Sequence, residues 1–351
     1  MFLNFINYFR GFAILIIVVG HLFGTVKVFN YANPQLNSIF TKSFFSLISG
    51  GTALFVFISG FLFHHVFYTR GFNFKKFFIN KFKNVLSPYL IVITPVIFYE
   101  LLFNPRYQKL YSTKLEFLKY LFLSYYSGTM LLSTWYIPFA FMLFISSPIF
   151  IKFLELKKYH KRIITVLLLI ASIIHRPIHD FTVNVFQALI YFSPIYCLGI
   201  YISLKKDTFF EKFKNKSYIF GFLTLGVLAI QLYTGRFFNL HKSILIFSNL
   251  DLVIFQKFFM CLYLVLFFNK YEIYFNEKCK KLFNVLAIYS FPIFFIHNYI
   301  IQFLYPALGL EKDSGYLGLV LLTLLTLSLS LLFAYIIKLI FKNNSRYIIG
   351  G

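Results

Sequence analysis

The sequence predicts an all-α integral membrane protein, a bundle of about ten transmembrane helices with both termini in the cytoplasm. Of its 351 residues, 59% are hydrophobic and only 13% are charged, and the mean hydropathy is +0.75. Soluble globular domains have a much more polar composition. Apolar segments recur from residue 5 to residue 341 without a hydrophilic stretch long enough for a soluble domain. Residues 1–351 are therefore expected to form a single integral membrane domain.

Ten apolar windows predict the individual spans, since about 20 apolar residues cross a bilayer as a helix. They lie near residues 5–26, 44–68, 86–104, 134–153, 163–175, 183–203, 218–234, 248–269, 283–305 and 316–341. The first window lacks the basic leader and the small-residue cleavage site of a signal peptide, so we expect it to remain as a mature helix. The window at 163–175 is short for a bilayer, and the stretch from Leu115 to Tyr126 is expected to form an interfacial helix.

Basic residues predict the orientation, because cytoplasmic loops hold the excess of Lys and Arg. Connections after the even-numbered spans are rich in them, and connections after the odd-numbered spans carry far fewer. The basic clusters are Arg70, Lys75, Lys76, Lys81 and Lys83; Lys152, Lys157, Lys158, Lys161 and Arg162; Lys205, Lys206, Lys212, Lys214 and Lys216; and Lys270, Lys278, Lys280 and Lys281. This alternation requires ten helices and places both termini in the cytoplasm. Topology thus explains the formal net charge of +23, and membrane lipids rather than nucleic acid are the expected partners.

The most informative residues are Arg10 and His21, which both lie inside the first predicted span. Eleven residues are nearly three helical turns, so the two side chains share one face and are separated by about 16 Å along the axis. An arginine within an apolar span costs about 2.5–3.5 kcal/mol even on lenient insertion scales, and such residues usually line an interior or a pathway. Arginine suits phosphate or carboxylate, and histidine exchanges a proton near neutral pH. In the predicted orientation Arg10 lies toward the cytoplasm and His21 lies three turns deeper.

Two further patterns have plain structural explanations as well as functional ones. Ser290 and His297 are seven residues apart on one face of span nine, where a hydrogen bond between helices is the simpler interpretation. Trp135 begins span four beside Tyr136, and an interfacial aromatic belt would account for it.

A polar cluster follows the short fifth span, and its members are His175, Arg176, His179 and Asp180. It stands in a predicted outer connection, so we expect solvated surface there, with binding of a hydroxylated acceptor as the alternative. The three cysteines have no metal-ligand spacing, so the sequence indicates neither a metal site nor a disulfide framework.

Four short motifs occur in order along the chain. They are Arg10-Gly11 through His21, Phe57-Ile58-Ser59-Gly60-Phe61, Trp135-Tyr136-Ile137, and Ser290 through His297. With these motifs the sequence resembles the acyltransferase-3 family of integral membrane acyltransferases, which includes bacterial O-acetyltransferases of surface polysaccharides. One position departs from the family pattern. An arginine usually stands shortly before a proline after the second span, whereas here Lys81, Lys83 and Asn84 precede Pro88.

The resemblance implies a membrane O-acyltransferase of the bacterial cell membrane, which moves an acyl group, commonly acetyl, from cytoplasmic acyl-CoA to a hydroxyl of a surface or lipid-linked glycan. His21 would act as the general base, and Arg10 would assist donor binding. Other motif residues would bind the donor or the acceptor, namely Ser59, Lys81, Lys83, Trp135, Tyr136, Ser290 and His297. Acetyl-CoA would be a substrate, and no metal is implied.

Two alternatives remain: a transporter or flippase of a lipid-linked saccharide, although no internal repeat is evident, and an acyltransferase of a non-glycan small molecule.

Overall fold

The computed structural model describes residues 3–26, 28–30, 33–178, 182–238, 241–244, 249–310 and 315–350. Helices account for 80% of the structure, and the described residues contain no strand. The prediction of an all-helical protein is therefore confirmed.

The helices are numbered in chain order. They are α1 (Asn4–Thr25), α2 (Ile39–Ile48), α3 (Thr52–Leu62), α4 (Phe74–Lys81), α5 (Ser87–Phe103), α6 (Pro105–Gln108), α7 (Lys114–Ser127), α8 (Tyr136–Ile145), α9 (Ser147–Glu155), α10 (His160–Ile174), α11 (Val185–Leu204), α12 (Lys206–Phe213), α13 (Ser217–Tyr233), α14 (Leu252–Tyr271), α15 (Glu277–Ile288), α16 (Ser290–Tyr299), α17 (Tyr305–Ala307), α18 (Gly315–Phe341) and α19 (Ser345–Ile349). Three π-helical segments interrupt or extend them, at Phe63–Tyr68, Phe82–Leu86 and Ile300–Leu304.

Six helical segments within the described ranges are long and apolar enough to cross a membrane: Asn4–Thr25, Ile39–Tyr68, Phe74–Phe103, Val185–Leu204, Leu252–Tyr274 and Gly315–Ile349. The number rises to nine if three bent pairs each count as one span. These pairs are α8 with α9, α12 with α13, and α15 with Ser290–Ala307, bent by 53°, 82° and 71°. The remaining predicted window, 163–175, coincides with α10, whose 15 residues rise about 22 Å. The count of ten spans and the cytoplasmic termini stay predictions.

The stretch that the sequence assigns to an interfacial helix is α7. Its start is fixed by a capping box, in which the Thr113 hydroxyl accepts a hydrogen bond from the Glu116 amide and the Glu116 carboxylate accepts one from the Thr113 amide. Such reciprocal bonds satisfy amides that the first helical turn leaves unpaired. The helix is thus confirmed, and its location at a membrane surface stays a prediction.

Helix α1 lies at the centre of the bundle, where it packs against α3, α14, α15, α16 and α18. Its contact with α15 depends on Gly11, because a Cβ at that position would overlap the backbone carbonyl of Phe283. A small residue thus lets two helices approach closely beside Arg10.

The helices α2 and α3 form one span with a break inside it, at Ser49 to Gly51. Gly50 has a φ of +72°, a value at which a side chain would be strained. The break leaves carbonyls at the end of α2 without helical partners. The buried Lys257 ammonium of α14 donates hydrogen bonds to two of them, at 3.0 Å to Ser46 and 2.8 Å to Leu47. Irregular backbone in an apolar bundle is usually found where it lines a cavity.

A second close approach joins α3 to α11. A Cβ at Gly60 would overlap the Tyr196 carbonyl, and a Cβ at Gly199 would overlap the Phe57 carbonyl. The two helices therefore touch backbone to backbone. This contact gives the glycine of the Phe57–Phe61 motif a packing role.

We predict that Gly60→Ala lowers the thermal unfolding temperature of the purified protein, because the added methyl group must push two backbones apart at a cost of about 1–3 kcal/mol. The matched control is Gly226→Ala in α13, where the added Cβ has no neighbour within 4 Å. Alanine favours a helix over glycine, so the control should be neutral or slightly stabilising. Equal unfolding temperatures for the two variants would contradict the close approach.

Candidate active site

The site is arranged around α1, which runs without interruption from Asn4 to Thr25. Arg10 and His21 therefore keep the spacing that an ideal helix gives them, three turns apart on one face. Arg10 lines one cavity and His21 lines another. We call them the Arg10 cavity and the His21 cavity.

His21 packs against His297 of α16, with 5.3 Å between the ring centroids. The fully buried His297 lies 2.7 Å, measured from Nδ1, from the carbonyl oxygen of Ile293 in its own helix. A carbonyl only accepts hydrogen bonds, so Nδ1 of His297 must carry the proton, and Nε2 of the neutral ring is an acceptor. Neither His297 Nε2 nor His21 Nδ1 has a hydrogen-bond partner among the described residues.

The Arg10 cavity has a volume of about 340 Å³ and a basic lining. Its cations come from three helices: Arg10 from α1, Lys81 from α4 and Arg346 from α19. Its lining also includes the amide side chains of Asn80 and Asn84, and it contains no acidic residue. The buried Nε of Arg10 has no hydrogen-bond partner in the described part of the chain. This cavity is suited to an anionic ligand.

Lys81 is positioned by aromatic rings. Its ammonium lies 4.7 Å from the ring centroid of Phe67, 4.8 Å from that of Phe144 and 5.5 Å from that of Phe77. Ring faces attract cations, and this partly compensates for lost hydration. Lys83, two residues later, is exposed and lies outside the lining of both cavities.

Arg346 was not among the candidates from the sequence, because it follows the last apolar window. The short helix α19 carries it back against α5 and α16. The Ser87 hydroxyl donates a hydrogen bond of 3.1 Å to the Tyr347 carbonyl and helps to hold α19 there. The only sequence signal for Arg346 was its positive charge near the C-terminal end. Many solvated basic residues of this chain carry the same charge, so the signal did not single it out.

The His21 cavity has a volume of about 400 Å³, within the usual range of small-molecule sites. Trp135, Arg176 and His241 line it together with His21, and no acidic residue contributes to the lining. The break between α2 and α3 forms part of the wall, through Ser49 to Thr52. The amino end of α3 therefore faces this cavity, and the first amides of a helix lack intrahelical partners.

The two cavities share four lining residues: Phe55, Tyr136, Ser290 and Phe291. We call this set the common wall. It belongs to α3, α8 and α16, and two of these helices, α3 and α16, pack against α1. Two predicted site residues, Tyr136 and Ser290, are therefore accessible from both sides.

The expectation of solvated surface at residues 175 and 176 is wrong. His175 is fully buried, and Arg176 is only 5% exposed. The Gln187 side-chain amide of α11 holds this segment by donating to the carbonyls of Ile174 and Lys242, at 3.2 Å and 2.8 Å. The other members of the polar cluster, residues 179 and 180, lie outside the described residues.

The remaining predicted site residues divide between the cavities. Ser59 lines the Arg10 cavity, and Trp135 lines the His21 cavity. His297 lines neither cavity but contacts the ring of His21. The interpretation of Ser290 and His297 as partners in a bond between helices is not supported, since Ser290 donates to Ala287 and His297 to Ile293. Within the described ranges, no group of three His, Cys, Asp or Glu side chains is arranged to hold a metal ion.

The helical spans and the paired cavities define a multi-pass membrane protein with an internal site. The chain belongs to the acyltransferase-3 family, because the model of that family, an acyltransferase domain, matches residues 3–339 of 351. The resemblance drawn from the four motifs is thereby confirmed. Neither a curated protein nor a solved structure matches the chain significantly.

Proposed function

We propose that this protein transfers an acyl group, acetyl by expectation, from acyl-CoA to a hydroxyl group of a surface or lipid-linked glycan at the cell membrane. One observation carries the proposal: a basic cavity and a cavity that contains a histidine adjoin along α1 and share one wall. Family membership supports acyl transfer over the transport of a lipid-linked saccharide, since a transporter needs no acyl donor.

The basic lining of the Arg10 cavity supports binding of the donor there. Coenzyme A carries several phosphate charges, and Arg10, Lys81 and Arg346 supply three cations to a lining that contains no acidic residue. Arginine binds phosphate with two parallel hydrogen bonds, which gives direction as well as attraction. The predicted cytoplasmic position of Arg10 agrees with the compartment that holds acyl-CoA.

The common wall supports passage of the thioester toward His21. The acyl group sits at the end of the long pantetheine arm, so phosphates bound near Arg10 leave the thioester free to reach about three helical turns further along α1. Tyr136 and Ser290 offer hydroxyl groups along that route.

His21 would act as the general base in the transfer. Its imidazole accepts the proton of the acceptor hydroxyl as the oxygen attacks the carbonyl carbon of the thioester. The new ester bond forms, the carbon–sulfur bond breaks, and the proton held by His21 passes to the departing coenzyme A thiolate. The histidine thus returns to its starting state without an added reagent.

Charge develops on the thioester oxygen during this attack, and donors fixed in advance stabilise it best. The amino end of α3, at Gly51 and Thr52, faces the His21 cavity and offers backbone amides. Lys257 fixes the end of α2 on the other side of the break. His297 would act as a positioning residue, since its ring packs on that of His21.

We predict that His21→Gln reduces acyl transfer by about 10²–10⁴-fold, the usual contribution of a general base, while His297→Gln has a smaller effect. The measurement is the O-acetyl content of the surface glycan by NMR, in cells that contain equal amounts of each inserted variant. A control strain without the protein gives the background and identifies the acyl group. Full acetylation with His21→Gln would refute the role of His21.

The donor site gives a separate prediction. Arg10→Gln, Lys81→Gln and Arg346→Gln should each weaken acetyl-CoA binding about tenfold, which corresponds to a loss of about 1.4 kcal/mol, because each removes one cation from the lining. Calorimetric titration of the purified protein measures this. The exposed Lys75→Gln on α4 is the matched control, and Lys83→Gln decides which lysine substitutes for the family arginine. Unchanged affinity in the Arg10 variant would contradict donor binding there.

A further inference from the structure

The His21 cavity contains a buried cation that acyl transfer to a neutral hydroxyl does not require. Arg176 lines the cavity and is only 5% exposed, and its Nε has no hydrogen-bond partner among the described residues. The guanidinium lies beside two stacked aromatic rings, 5.4 Å from the centroid of Trp135 and 5.6 Å from that of Phe192. These cation–π contacts compensate for only part of the hydration that burial removes.

The charged groups around Arg176 leave it able to bind a ligand. Asp251 attracts the guanidinium electrostatically, but this carboxylate already accepts a hydrogen bond of 2.7 Å from the Tyr191 hydroxyl and one of 2.8 Å from the Val253 amide. It is also absent from the cavity lining. Burial and the neighbouring Arg176 lower the pKa of His241 to about 4, so His241 is neutral at physiological pH.

The backbone holds Arg176 in place at some cost. His175 has φ +64° and ψ 179°, a region that residues other than glycine rarely adopt. The next segment is bound to residues 241 and 242, through an isolated bridge to His241 and a 3.0 Å hydrogen bond from the Lys242 amide to the Arg176 carbonyl. Strain of this kind persists where surrounding contacts impose it, and it is concentrated at functional sites.

We propose that the acceptor is an acidic saccharide, whose carboxylate or phosphodiester group binds Arg176 while a neighbouring hydroxyl lies at His21. This inference rests on the proposed function for the reaction, but the anion site itself stands on the lining of the cavity. Arg176, as a planar fork of donors, matches an oxyanion group in two parallel bonds. His21 and Arg176 line the same cavity of about 400 Å³, which places both within reach of one ligand.

The test compares three sugars with the same ring hydroxyls: methyl glucuronide, methyl glucoside 6-phosphate and neutral methyl glucoside. Their affinities are measured by calorimetry on the purified full chain in nanodiscs of phosphatidylcholine, which has no net charge. We expect the wild type to bind at least one acidic sugar about tenfold more tightly than the glucoside. The two acidic probes distinguish a carboxylate site from a phosphate site.

Arg176→Gln should remove this preference and leave glucoside binding unchanged, and Arg176→Lys should retain part of it. If Arg176 were only structural, its replacement would instead lower the unfolding temperature and weaken the binding of all three sugars equally. Lys109→Gln is the matched control, because Lys109 is exposed and lies outside both cavities. Equal wild-type affinities for charged and neutral sugars, or no binding of either acidic sugar, would overturn the inference.

The proposed function can be refuted independently of the anion site at Arg176. Acyl transfer would be refuted if the wild-type protein neither bound acetyl-CoA nor removed its acetyl group. A preference for acidic sugars that depends on Arg176 would survive that result as evidence for an anion site.

Discussion

The structure depends on one constraint, the unbroken helix between Arg10 and His21. Eleven residues of regular α-helix fix the two side chains on one face and separate them by about 16 Å. The neighbouring segments are irregular by contrast: α2 and α3 are separated by a break, and π-helical turns follow α3 and precede α5. Cavities form where these neighbours depart from regular geometry, and α1 sets the distance between them.

Electrostatics adds a second constraint, since the linings of both cavities contain cations and no carboxylate. A buried cation without a counter-ion is costly, and removing one partner of a buried pair typically costs about 3–5 kcal/mol. Lys81 is partly buried and Arg176 is buried, and each is placed over aromatic rings, which return part of this energy. Asp251, outside the cavity lining, also attracts the Arg176 guanidinium. Under the two proposals, binding of an anionic ligand would recover more of this energy. Arg10 would gain a counter-ion from the donor, and Arg176 would gain one from the acceptor.

The sequence predicted the helical class, most of the apolar helices and the shared helical face of Arg10 and His21, because helical period and hydropathy are local properties. It did not predict that Arg176 is buried, since the residue follows a short apolar window and is covered by Trp135 and Phe192, which lie far from it in the sequence. Arg346 was missed for a related reason: α19 returns to the bundle after the last apolar window. Lys81 rather than Lys83 lines the Arg10 cavity because of the way their helical segment is rotated. A basic segment has no apolar periodicity from which that rotation could be predicted.

The common wall explains why the charges are divided between two cavities. Three of its four residues, Phe55, Tyr136 and Phe291, are aromatic, and an aromatic wall limits the access of water to a thioester. Under the proposed function, a base placed beside the bound donor would activate water as readily as a hydroxyl and hydrolyse the acyl group. Under that function, placing His21 across the wall from Arg10 would keep the base away from the donor phosphates and would let it meet the thioester only at the end of its arm. The base would then activate whichever hydroxyl occupies the His21 cavity, and an acceptor bound there would displace the competing water.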